Sequence, residues 1–380
     1  MYKNRICLFD AEHIEELPWP QTEQAMLAKQ FLVPLIKQGV HRYIENVHTD
    51  LYILLIDDLV LPVTINDSEY GNSFVCSPYD YYIGCGLESV VKMDHWLKRP
   101  LKALLNGLSG IFKAGKINKV VMINNWFFST NLYPKLSPEQ IECITQFLKN
   151  LFPGHALMFR SIQTFTGNEL YAACRQSSFN LIASRMIFYL NAADEEVFRA
   201  RIFKSDFKLL QETEYEIEEL QHLLPDQSTK IAELYSDIYC SKHSEHNPKL
   251  TSRFFQLAFD SKLLHIKTLH KEGEMAAVVG YWQCDGVMMA PLLGYEANKS
   301  EDKLYRLSCT VLTQEARDKK WLFHLSSGAS FYKKIRKAKG SMEYFAVYHR
   351  HLPFYRRLPW WVLQATMNSI GVPIMKRYDK

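Results

Sequence analysis

The apolar positions of this chain alternate between two rhythms. From Ala25 to Gln38 they recur at helical spacing, with Leu27, Phe31, Leu32 and Leu35 on one side. LYILLID (51–57) and LVLPVTI (59–65) are nearly continuous apolar runs, which predicts two strands around a tight turn at Asp57–Asp58. A helix follows Pro100 within 95–113, and KVVMINNWF (119–127) reads as a strand. SPEQIECITQFLKNLFPG (137–154) reads as a helix capped by Ser137, with Glu139 and Gln140 in its first turn, and ended by Pro153–Gly154. ALMFRSI (156–162), GNELYAACRQSSF (167–179) and NLIASRMIFYL (180–190) continue as strand, helix and strand.

The second half runs through a similar order. Lys230 to Tyr239 and Thr251 to Asp260 read as helices. LLHIKTLH (263–270), MAAVVGYWQ (275–283) and VMMAPLLGYE (287–296) read as strands, the last pair joined by a Cys284–Asp285–Gly286 turn. Asp302 to Lys319 is a helix, WLFHLSS (321–327) a strand, Ser330 to Lys339 a helix and MEYFAVY (342–348) a strand. QETEYEIEEL (211–220) carries five glutamates and is read as a solvated connector or helix. The fold class expected is α/β (α+β): mixed, twisted sheets flanked by helices, in two domains, 1–208 and 209–380.

Composition narrows the partners. The net charge is only +4, too small for nucleic acid to be the main partner of the whole chain. Eight cysteines form no CxxC pair and stand at no zinc-finger spacing from histidine, so no metal is expected and reduced thiols in a cytoplasmic protein are the simplest reading. The first twenty residues meet acids early and contain no apolar h-region, which predicts no signal peptide. The stretch from Trp360 to Met375 is too short and too interrupted to span a bilayer. HRHLPFYRRLPWWVLQ (349–364) mixes arginine with tryptophan and phenylalanine, which allows either packing of a terminal helix or peripheral contact with the inner membrane face.

LFHLSSGASFYKKIRKAKGSMEYFAVYHRHLP (322–353) carries the chemistry worth testing. Its small residues around Ser-x-Gly-Ala, its Tyr332–Lys333 pair, the later Arg336, the strand pair Glu343–Tyr344 and the closing His351–Leu352–Pro353 are similar to the FemAB-like and BioF2-like branch of the GNAT acyltransferases. The resemblance spans roughly 215–360, with LYSDIYCSKHSEHNPKLTSRFFQLAF (234–259) similar to that family's first helix pair. It implies two GNAT-like units in tandem and acyl or aminoacyl transfer from a thioester or ester to an amine or hydroxyl. The donor implied is acyl-CoA, acyl-carrier protein or aminoacyl-tRNA, and the acceptor a small molecule or lipid precursor. GNAT enzymes that use acetyl-CoA carry a glycine-rich pyrophosphate loop after the fourth strand. The equivalent stretch here, LLGYEANKSEDKLYRL (292–307), has Gly294 and no second glycine, with Asn298, Ser300, Glu301 and Asp302 opening the helix. That departure leaves the donor open among these three, and motivates a second reading, a non-catalytic ligand- or partner-binding tandem.

On the resemblance, Lys333 acts electrostatically on the donor or oxyanion, with Arg336, Tyr332, Tyr295, Ser327 and Gly328 as donor- or substrate-binding residues. Tyr344, His324 and Glu296 are the further catalytic candidates: a phenol for the leaving group, a strand histidine and a carboxylate for an amine proton. Each has a structural alternative, as a core aromatic, a singly hydrogen-bonded core histidine and a strand-end acid. Glu343 is expected to pair with a nearby cation, and Lys334, Lys337 and Lys339 to be solvated. Cys284 and Cys309 are expected to be structural. The tyrosine-rich YDYYIGCG (79–86) and the Asn124–Asn125 pair are lesser candidates for lining a cleft.

Overall fold

In this computed structural model residues 5–93, 96–296 and 303–378 are described. Their strands are β1 (Ile6–Phe9), β2 (Asp50–Ile56), β3 (Leu59–Asp67), β4 (Lys119–Ile123), β5 (Ala156–Ile162), β6 (Asn180–Asn191), β7 (Glu216–Glu219), β8 (His265–Lys271), β9 (Glu274–Cys284), β10 (Val287–Tyr295), β11 (Leu322–His324) and β12 (Lys339–Tyr348). The chain divides into two compact units. Unit 1 comprises Met1–Ser184, His243–Lys249 and Tyr344–Ile374, and unit 2 comprises Arg185–Lys242, Leu250–Glu343 and Met375–Lys380. The change-over falls inside β6, not near residue 208, which lies within the helix Arg201–Glu212. That helix packs with its own unit through Phe203 and Phe207, and hydrophobic periodicity does not reveal such an exchange of strands.

Unit 1 orders its strands β1-β2-β3-β4-β5, followed by the Tyr344–Tyr348 end of β12. Every pair is antiparallel except β4 and β5, which run parallel around the helix Pro138–Leu151. All seven residues of β5 are buried, as a parallel strand covered on both faces requires. Ser137 caps the helix between these strands as its sequence predicts. Its hydroxyl accepts from the Gln140 N–H and the Gln140 side chain accepts from the Ser137 N–H, satisfying two otherwise orphaned donors.

Unit 2 repeats the scheme in the order β7-β8-β9-β10-β11, followed by the end of β6. Here too only the fourth and fifth strands, β10 and β11, are parallel, with the helix Leu304–Asp318 between them in sequence. The glutamate-rich stretch is not a connector or helix: Glu216–Glu219 forms the edge strand β7 against β8. Lys267 and Lys271 pair with Glu219 and Glu214, so cations on β8 offset the acids of an exposed edge. The strand at 321–327 is shorter than its pattern suggests, and the helix at 330 ends at Ile335, because Ser326, Gly328, Ala329 and Lys337 all take positive φ. YDYYIGCG, a lesser candidate for lining a cleft, forms a π-turn, Asp80–Gly84, leading into the helix Cys85–Val91.

Gly294 has a packing reason. The helix Pro225–Ser236 crosses β10 so closely that a Cβ at Gly294 would lie 2.8 Å from Leu234 Cβ and 2.9 Å from its carbonyl carbon. Gly294→Ala is therefore expected to destabilise the protein by about 1–3 kcal/mol, measured by urea titration. A variant as stable as the parent would remove this explanation of the glycine.

Candidate active site

In unit 2 the parallel ladder is brief. Val287, Met288 and Met289 of β10 face Leu322, Phe323 and His324 of β11, and there β11 stops. β10 continues to Tyr295 beyond a register break between Met289 and Leu292, where Pro291 lacks a ladder N–H. The chain leaving β11 makes two further bonds with β6, Leu325 N–H to Phe188 O and Phe188 N–H to Ser326 O, and then turns. The left-handed turn at Ser326, Gly328 and Ala329 delivers the short helix Ser330–Ile335.

Lys333 projects from that helix and is buried, at 7% exposure. Its ammonium donates to the carbonyls of Ser326 (3.2 Å) and Ser327 (2.7 Å) and lies 5.5 Å from the Phe188 ring centroid. An ammonium has three N–H bonds, so one remains for a ligand. Burial pushes the lysine down to about 7; Cys309 opposes it, and the Arg185 cation adds a lesser downward push.

Beside it is a wall of phenols. Tyr295 and Tyr305 have ring centroids 6.0 Å apart, and Tyr305 and Tyr332 5.3 Å. Lys242 donates to the Tyr295 hydroxyl at 3.3 Å. Burial raises Tyr305 and Tyr332 well above the usual phenol range, so both stay protonated at neutral pH. Cys309, bonded to both hydroxyls, is pushed up to about 11 by burial and is an inert thiol, as expected.

Arg336 has a structural role that its motif position conceals. Its guanidinium makes two bonds to Asp206, Nε to Oδ2 at 2.8 Å and Nη2 to Oδ1 at 3.0 Å. It donates a third to the Tyr332 carbonyl and stacks 3.4 Å from that ring's centroid. Arg306 donates to Asp206 Oδ1 at 2.6 Å, so one carboxylate holds two guanidinium groups.

The other candidates separate. His324 is buried, accepts the Ser326 N–H at Nδ1, and is pushed down to about 3 by burial and the Arg185 and Lys333 cations. It is a neutral core histidine, not a proton donor. Glu296 pairs with Lys230 at 3.3 Å. Glu343 is buried and pairs with Arg185 at 2.9 Å, as expected. Tyr344 belongs to unit 1, edge-on to Tyr171, outside this cluster. Ser327 contributes its carbonyl, and Gly328 the turn that presents it. Residues 297–302, where the pyrophosphate loop was sought, lie outside the described residues.

Sequence reasoning missed Tyr305, Lys242, Arg185 and Asp206. Two signals were available: Tyr305 and Cys309 share a helix face at i, i+4, and Asp206 interrupts the apolar stripe of Phe203, Phe207 and Leu210. In unit 1, Glu88, Glu245 and His246 bring ligand atoms within 4.8 Å of one another, but Glu88 already accepts the Glu245 N–H at 3.0 Å. Asn124 and Asn125 are buried in turn chemistry. Asn124 has φ 57°, and Asn125 donates to Thr64 and Val75.

Both units share one strand order and one parallel pair, and in unit 2 that pair parts beside the buried lysine. The two units repeat one mixed α/β plan, the tandem arrangement expected from the sequence. No family model matches the chain, and no curated protein does. Among solved structures, FemX aligns at 9% identity over 58% of this chain and 79% of its own, with a TM-score of 0.47. L-PGS from Bacillus licheniformis aligns at 16% over 62% of this chain and 78% of its own, with a TM-score of 0.43. A tandem GNAT protein from the clavulanic acid biosynthesis pathway aligns at 8% over 91% of this chain and 98% of its own, with a TM-score of 0.39. Likenesses this distant carry no argument about activity, which rests on unit 2's own residues.

Two measurements test the site's architecture. Asp206→Asn leaves Arg336 buried without its counter-charge and should destabilise by about 3–5 kcal/mol in urea titration. Lys333, lowered in the fold, opposes folding fully below pH 7, and that opposition fades as pH rises from 7 toward its unfolded value of 10.5. Lys333→Met should thus be more stable than the parent at pH 6, the gap closing by up to about 1.4 kcal/mol per pH unit above pH 7. A pH-independent gap would show that Lys333 is not lowered.

Proposed function

We propose that unit 2 is an acyltransferase centre in which Lys333 stabilises the oxyanion of the tetrahedral intermediate. The observation that carries this is the lysine's remaining N–H: two go to loop carbonyls, and the group sits where β10 and β11 part. In the reaction the acceptor amine or hydroxyl forms the new bond to the acyl carbon. Negative charge collects on the carbonyl oxygen, where a positioned ammonium in a water-poor site is most effective. The bond to the carrier sulfur or oxygen then breaks, and the acceptor's proton ends on the departing group. A lysine that titrates near 7 can deliver that proton and regain it, and the protonated Tyr305 and Tyr332 are further donors.

The donor is a thioester or ester: acyl-CoA, acyl-carrier protein or aminoacyl-tRNA. The acceptor is a small molecule or a lipid precursor. A second reading, a non-catalytic binding tandem, draws on one specific observation. Arg336, the other inward cation of the basic run, has its charge matched by Asp206 and three of its five N–H bonds spent on Asp206 and Tyr332, which leaves it less to offer a carrier phosphate.

The test begins with mass spectrometry of small molecules retained by the purified protein, followed by thermal shift against acyl-CoAs, acyl-carrier protein and aminoacyl-tRNA. With the donor in hand, Lys333→Met should keep the fold and lose roughly 100-fold or more in kcat. Full turnover in that variant would reject the role of Lys333. Stabilisation by a ligand that is never turned over would favour the binding tandem.

A further inference from the structure

The charge of this chain is unevenly placed within unit 1. Segments 96–116 and 349–374 together hold eight of the 45 lysines and arginines and none of the 41 acids, so the remainder of the chain carries more acids than bases. The two segments form helices, Lys98–Ala114 and Phe354–Thr366, and these helices touch. A Cβ at Gly115 would lie 2.1 Å from Pro359 Cγ, so the end of the first helix abuts the second with no space between. Arg356 fastens the contact by donating to the carbonyls of Gly115 (2.8 Å) and Gly154 (3.0 Å).

The inner side of Phe354–Thr366 is ordinary core, with Trp360 and Leu363 buried. The outer side is not. Phe354 is 67% exposed, Tyr355 61% and Leu358 39%, and Ile111 of the neighbouring helix is 40% exposed. Arg357 lies 4.6 Å from the Trp361 ring centroid, its Nε without a hydrogen-bond partner, and Arg350 is exposed one turn before the helix. Among the described residues neither arginine pairs with a carboxylate. The exposed positions of Lys98–Ala114 add Arg99 and Lys102.

Ordinary core packing explains the inner face and leaves the outer face unexplained. Aromatic and aliphatic tips among cations, on two segments that carry no acid of their own, match a bilayer interface with anionic headgroups: rings enter at headgroup depth while guanidinium groups meet phosphate. We infer that this face of unit 1, built from Phe354, Tyr355, Leu358, Ile111, Arg350 and Arg357, docks the protein peripherally on an anionic membrane. Among the described residues no helix is long and apolar enough to cross a bilayer, so the attachment is interfacial. The inference does not depend on the acyl-transfer reading, because none of its residues belongs to unit 2.

The test is flotation of the full chain with vesicles of phosphatidylcholine alone or mixed with phosphatidylserine. Binding to the mixed vesicles, weakened by salt and absent from phosphatidylcholine alone, is expected. Arg350→Glu with Arg357→Glu should lower the partition coefficient roughly tenfold or more. Phe354→Ser with Tyr355→Ser and Leu358→Ser should abolish retention at high salt. Phe354, Tyr355 and Leu358 are exposed, so circular dichroism and the thermal midpoint of the serine variant should match the parent. Failure to float, or flotation that both variants retain, overturns the inference. So does a dimer in sedimentation velocity that the serine variant dissolves, since the face would then be covered by a second copy.

Discussion

The buried carboxylate of Asp206 is the constraint on which unit 2's site depends. It lies on a helix remote in sequence from the basic run, yet it accepts Arg336 through both oxygens and Arg306 through one. A lone guanidinium in the interior would be strongly unfavourable, so the helix Ser330–Ile335 has little choice of position. Arg336 in turn stacks on Tyr332, and Tyr332 meets Tyr305 and Cys309. Lys333 is carried on the same short helix, and its place under the Ser326 and Ser327 carbonyls is inherited from that anchoring.

The two units share a strand plan but not its chemistry. Unit 1 also buries a cation near the end of its fifth strand, Arg160 on β5. That guanidinium donates to the carbonyl of Val75, to Asn125 Oδ1 and to the carbonyls of Phe128 and Ser129. It knits the 124–131 loop together and offers a substrate little. Unit 2 leaves a titrating lysine with a spare N–H in a phenol-lined setting. The same sheet order thus supports a loop-bonded cation in one case and a lysine with a spare N–H in the other, which is why site residues and not topology carry the functional reading.

Much of the fold was legible because its elements announce themselves locally. The Ser137 capping box, the paired apolar runs at 51–65 and the apolar run that opens β5 follow from side-chain pattern alone. Three features did not, for physical reasons. β7 is a row of exposed glutamates held by backbone ladder bonds to β8, which leave no trace in hydropathy. β11 is cut to three residues by a left-handed turn at Ser326, a conformation serine rarely signals. The partners of Arg336 and Glu343, Asp206 and Arg185, are 130 and 158 residues away and belong to elements whose own patterns are unremarkable. Lys333 was readable as the residue of interest, whereas Arg336 was assigned to a ligand because its counter-charge lay out of view.

β5 pairs on one side with β4, and on the other with residues 344–348. During synthesis from the N-terminus, that second partner is made long after β5 itself. Until it arrives, a strand that is buried along its whole length in the finished fold has an open ladder edge, the kind of edge that recruits other chains. Unit 1 is therefore an N-terminal unit in sequence but a late one in folding, and nascent copies held close together on one message would be the ones most exposed to mispairing.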